Sequence, residues 1–75
     1  MDGHLQRALG NNLRRWRKER QLSQEEMAEV LAVHRTYMGG VERGERNLTL
    51  RSVEQIAETL GLDPLDLLRD QPSPE

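Results

Sequence analysis

Cysteine and phenylalanine are both absent from this sequence. Without cysteine there is neither a disulfide framework nor a thiolate metal site to staple the chain together. The absence also fits a reducing, cytoplasmic setting. Without phenylalanine, and with a single Trp and a single Tyr, the core has to be built from Leu, Val, Ile, Ala and Met, as in short packed helices. No apolar run approaches the length of a bilayer span, and Met1 to Gln6 is too polar for a secretion signal. Strand alternation, internal repeats and low-complexity stretches are missing too. At 75 residues the chain is expected to be one small domain with a thin stability margin.

The formal net charge is -2, which by itself argues against a polyanionic partner. Its distribution argues the other way. Ten of the eleven Lys and Arg residues lie in Met1–Arg51 against seven Asp and Glu, whereas Ser52–Glu75 has one against six. A basic first part joined to an acidic last part indicates two faces with different tasks, unless the charges are merely solvated helix surface.

Periodicity predicts five helices. The first runs from about Leu5 to Arg20, with Leu5, Leu9, Leu13 and Trp16 on one stripe and Arg7, Arg14, Arg15 and Lys18 opposite. Ser23 and Glu26 have capping-box spacing and open a second helix, with Met27, Ala28 and Leu31 facing inward. After Ala32-Val33-His34 a third is expected over Arg35–Arg43, with Tyr37, Met38 and Val41 inside and Gly44 as its stop. Gly39 and Gly40 inside it cost about 1 kcal/mol each relative to alanine. Either the backbone there approaches something closely, or an exposed face tolerates glycine. Thr49 suits the cap of a fourth helix, Leu50–Leu60, striped by Leu50, Val53, Ile56, Ala57 and Leu60 and stopped by Gly61. Asp63-Pro64 starts a fifth, Pro64–Arg69. Residues 71–75, with two prolines, read as a frayed tail.

Two short amphipathic helices joined by so tight a turn must cross steeply, so residues 23–43 read as a helix-turn-helix. Leu-Arg-x-x-Arg in the first helix, Leu-Ser-Gln-Glu-Glu-Met-Ala in the second, Val-Glu-Arg-Gly after the third and Leu-Gly-Leu-Asp near the end resemble the phage repressor and Cro (xenobiotic-response-element) family of regulators. The resemblance runs from Leu9 to Leu68. Within that family, Arg35-Thr36-Tyr37 and Arg46-Asn47-Leu48-Thr49 look like the controller proteins of restriction–modification systems. It implies an all-α, compact, five-helix, lambda-repressor-like DNA-binding domain over residues 1–70, with a dimerisation part at 60–70. The family usually has glycine where Gln21 and Ala32 stand. If those turns are still left-handed, each costs about 1 kcal/mol.

The resemblance also implies roles. Arg35, Thr36 and the stretch around Gly39 and Gly40 would read bases, and Gln24, at a helix start, would meet a phosphate. His34, Tyr37, Arg43, Arg46 and Asn47 would be further phosphate contacts, although the Tyr37 ring could equally be core and Arg35 simply solvated. Arg17 and Glu42 would form an internal salt bridge, while Arg14, Arg15 and Lys18 would be solvated. Leu62, Leu65, Leu67 and Leu68 exceed what so small a core requires, and are expected to form a two-fold dimer contact unless they cap the monomer.

Two histidines on different elements, with no cysteine, leave nothing from which to assemble a triad or metal site, so an enzyme is not expected. Nor is a cofactor, a membrane partner or a small-molecule effector, the chain having no room for an effector-binding domain. The function expected is a homodimeric regulator of transcription on a near-palindrome in double-stranded DNA, in a bacterial or phage cytoplasm and on the nucleoid when bound. A restriction–modification controller, a phage-type repressor and a toxin–antitoxin antitoxin remain open, as does a protein-docking module on the same scaffold.

Overall fold

Five helices account for most of residues 3–70, the part of the chain that the computed structural model describes: α1 His4–Glu19, α2 Gln24–Leu31, α3 Arg35–Glu42, α4 Leu50–Leu60 and α5 Pro64–Leu68. The tail expected over 71–75 lies outside the described residues. No helix among them is long and apolar enough to cross a membrane.

Each helix after the first begins on a side-chain cap. Ser23 Oγ accepts from Glu26 N at 3.0 Å while Ser23 N donates to Glu26 Oε1 at 2.8 Å, the reciprocal capping box. Thr49 Oγ1 accepts from Ser52 N, and Asp63 Oδ1 from Leu65 N, with Pro64 in the first turn. The cap of α3 is an imidazole: His34 Nδ1 accepts from Thr36 N at 3.1 Å.

The first four helices share one stop. A left-handed residue follows the last turn, and the next amide reaches back to a carbonyl five residues earlier. These closing bonds are Leu22 N to Arg17 O, Val33 N to Ala28 O, Glu45 N to Gly40 O and Leu62 N to Ala57 O, at 2.8–3.1 Å. The left-handed positions are Gln21 and Ala32, both at φ 59°, Gly44 at 76° and Gly61 at 72°. Gln21 and Ala32 therefore do adopt the conformation that favours glycine. The closure drops Leu22, Val33 and Leu62 onto the core, linking turn geometry to burial.

That core consists of Leu9, Leu13, Met27, Ala28, Met38, Val41, Val53, Ala57 and Leu67. α1 is the central element, touching α3 on one side and α5 on the other, while α2 packs on α3 and α4 on α5. Gly10 makes the first contact possible: a Cβ there would lie 2.5 Å from Val41 O and 2.6 Å from Glu42 O. Two residues expected on buried stripes are instead exposed, Leu5 by 56 % and Leu50 by 78 %. Each stands in the first turn of its helix, before the stripe meets a neighbour.

Asn12, buried on the apolar side of α1, was not anticipated as structural. Its Nδ2 donates to the carbonyls of Asp66, Leu67 and Arg69 at 2.7–3.3 Å, satisfying the end of the short α5. Arg15, expected to be solvated, is half-buried and donates to Asn12 Oδ1 at 3.3 Å.

Relieving the left-handed alanine should stabilise the fold. Ala32→Gly is expected to gain about 0.5–1 kcal/mol, the strain released less the entropy that glycine adds to the unfolded chain. For a domain of this size that is several degrees in a calorimetric melt, and an unchanged or lowered Tm would contradict it.

Candidate nucleic-acid interface

The outer side of α3 can serve as a reading surface because its inner side is tied down at one point. Glu42, in the last turn of α3, has a side chain only 3 % exposed. Burial of a carboxylate is costly unless its lone pairs are occupied, and here three donors occupy them. Arg17 of α1 donates from Nε to Oε2 at 2.7 Å and from Nη2 to Oε1 at 3.0 Å, a two-pronged pair. Gln24 of α2 adds Nε2 to Oε1 at 3.0 Å. The third prong of Arg17, Nη1, reaches Leu22 O at 2.9 Å in the turn between α1 and α2. The expected Arg17–Glu42 bridge is present, and it extends through Gln24 to join three helices.

Gln24, expected at a phosphate, also has a partner inside the protein. One of its two amide N–H groups serves Glu42, so it orients α2 against α3 before it can contact anything outside, and only the second N–H is available to a phosphate.

Against this anchored side, the first turn of α3 projects into solvent. His34, Arg35 and Thr36 are all exposed. With Nδ1 accepting from Thr36 N, Nε2 is the ring nitrogen left to donate outward. The Arg35 side chain is 68 % exposed, and its Nη1 meets Glu25 Oε2 only at 3.9 Å. A pair so open holds the side chain weakly and yields to a better acceptor.

Further along, exposed Arg43 pairs loosely with Glu45, Nε to Oε2 at 3.2 Å. Arg46 lies over the half-buried Tyr37 ring, its guanidinium carbon 5.2 Å from the centroid. Tyr37 thus packs on the core and also supports a cation. Gln6, which the sequence pattern did not single out, holds the loop after α3. Its Nε2 donates to Arg46 O at 3.0 Å and to Asn47 Oδ1, leaving the Asn47 amide N–H groups as that side chain's outward donors.

Gly39 and Gly40 are buried rather than presented on the outer face, so neither offers open backbone to a base edge. The four C-terminal leucines also divide. Leu67 is 2 % exposed and belongs to the monomer core, which removes it from the expected dimer contact. Leu62 and Leu68 are half-buried against that core, and Leu65 is 66 % exposed.

An anchored helix pair with an exposed basic first turn defines the class as helix-turn-helix DNA-binding transcription regulators. Residues 8–70 match the model of the family described as "Helix-turn-helix domain", and the chain belongs to that family. It is 42 % identical over 67 residues to the control protein C.SmaI of Serratia marcescens, covering 89 % of this chain and 80 % of that protein. With the control protein C.BamHI of Bacillus amyloliquefaciens it shares 38 % over 69 residues, covering 91 % and 85 %. Its fold is similar to the crystal structure of the restriction–modification controller protein C.AhdI from Aeromonas hydrophila. There the TM-score is 0.73 and the identity 37 %, with 89 % of this chain and 99 % of that one covered.

Removing the Glu42 carboxylate should strand the Arg17 cation in a poorly solvated place. Glu42→Ala is expected to cost about 3–5 kcal/mol in urea unfolding, a large part of the stability of so short a domain. A loss below about 1 kcal/mol would show that the network does not hold the three helices.

Proposed function

We propose that this chain is a homodimeric regulator that reads a near-palindromic site in double-stranded DNA and controls a restriction–modification system, its own gene included. The observation that carries the reading is the first turn of α3, where Arg35 and Thr36 stand exposed on a helix whose far end is locked by Glu42. A guanidinium so placed can bond guanine O6 and N7 together in the major groove, and the threonine methyl suits a thymine methyl. Around it, His34, Arg43, Arg46 and Asn47, with the second N–H of Gln24 and the Tyr37 hydroxyl, offer donors to phosphates on either side. The likeness to restriction–modification control proteins supports the regulatory setting.

Dimerisation centres on Leu65, flanked by half-buried Leu62 and Leu68 at the α5 end. A two-fold contact there sets the two reading helices about one DNA turn apart, roughly 34 Å. Regulation then follows the concentration of the chain, because only the dimer spans both half-sites.

Selection of genomic fragments by the purified chain at moderate salt should recover one near-palindrome, lying upstream of the chain's own gene. No enrichment even at low salt would refute DNA reading. On the recovered site Arg35→Ala should cost about 1–3 kcal/mol and relax preference at one position per half-site. Arg43→Ala should instead weaken all sequences alike and lower the salt slope by about 1 per subunit.

Leu65→Asp should convert the dimer to monomer in analytical ultracentrifugation at micromolar concentration while leaving the helical spectrum intact. A wild-type chain that sediments only as monomer would overturn the dimer.

A further inference from the structure

Gly39 and Gly40 weaken α3, and side chains lie over both: Arg43 and Gln24 over Gly39, Arg46 over Gly40. A Cβ on Gly40 would stand 3.0 Å from Arg46 Nε and 3.2 Å from Arg46 Cγ, so the stem of Arg46 lies directly on the bare backbone of α3. The head of that side chain reaches the Tyr37 ring, 5.2 Å from its centroid and within cation–π range. Its root is held as well, by the bond from Gln6 Nε2 to Arg46 O. Gly39 makes a similar opening for Arg43, whose Nη1 lies 3.1 Å from where a Cβ would be.

An exposed arginine ordinarily samples many rotamers and gives up that freedom when it binds. Arg46 has root, stem and head seated beforehand. We propose that Gly40 and Tyr37 form a seat that preorganises Arg46 along the reading helix, which makes Gly40 a positioning residue for DNA binding. The proposal rests on the DNA-binding reading above and adds the reason for a glycine inside α3. A methyl group at position 40 has only the flexible Arg46 side chain to displace, so the helix tolerates it while the seat does not.

Gly40→Ala therefore carries two effects of opposite sign. Alanine is the better helix former, so the melting temperature should rise by about 4–8 °C. Affinity for the recovered palindrome should fall about threefold to tenfold per subunit, the cost of ordering a released side chain. In the free protein, the Arg46 side-chain protons should lose the ring-current shift that Tyr37 imposes on them.

A double-mutant cycle with Arg46→Ala identifies the route. The affinity loss from Gly40→Ala should vanish in the Arg46→Ala background. An equal loss in both backgrounds would mean that the added methyl itself obstructs DNA, and the seat would be refuted. Full affinity in Gly40→Ala would refute it too, while leaving DNA reading by the wild type intact. A wild-type chain that retains no fragment would sink both together.

Discussion

One buried carboxylate organises this molecule. Glu42 receives Arg17 from α1 and Gln24 from α2, and Arg17 in turn closes the turn at Leu22. A carboxylate removed from water is tolerated only when its oxygens are occupied, so the three helices are held in the one arrangement that supplies every donor. Apolar contacts among Leu9, Leu13, Met27, Met38 and Val41 provide adhesion but little directional preference. The Glu42 network provides the direction, and Gly10 lets α1 come close enough to reach it.

From that constraint the exposed surface follows. With its C-terminal end anchored, α3 must present its first turn outward, and His34, Arg35 and Thr36 occupy that turn. The same chain spends its left-handed turns on burial. Gln21 and Ala32 accept backbone strain so that Leu22 and Val33 fall onto the core. At Gly44 and Gly61 no such strain arises, which is why helices α3 and α4 stop there at less expense. A small domain with strained turns at Gln21 and Ala32 and a buried Arg17–Glu42 pair has limited reserve, and the surface it exposes is held by a few decisive contacts.

Much of this was legible beforehand, for local reasons. The caps at Ser23, Thr49 and Asp63 involve partners two or three residues away, so spacing alone reveals them. The stops at Gly44 and Gly61 are equally local. The helix stripes were legible except at their ends: Leu5 and Leu50 continue the periodicity of their helices but lie where no neighbour covers them. Arg35 and Thr36 are exposed in the first turn of α3, as their place at a helix start implied. One amide N–H of Gln24 turns inward, and Gly39 and Gly40 lie beneath side chains. Gln6 and Asn12 gave little signal. Their partners are about forty and fifty-five residues away. A polar residue on the apolar side of α1, as Asn12 is, was the one hint on offer.

By itself the sequence determined the element order, the caps at Ser23, Thr49 and Asp63, the stops at Gly44 and Gly61, and the family, since each depends on residues within a few positions of one another or on an ordered set of motifs. Tertiary structure alone decided which apolar residues are core and which are surface, separating Leu67 from Leu65 at two residues' distance. It also decided which polar groups are already occupied, assigning Asn12 to α5 and one Gln24 N–H to Glu42. The physical reason is common to both. Burial and hydrogen-bond satisfaction are properties of the space between elements, and that space exists only once the helices have crossed.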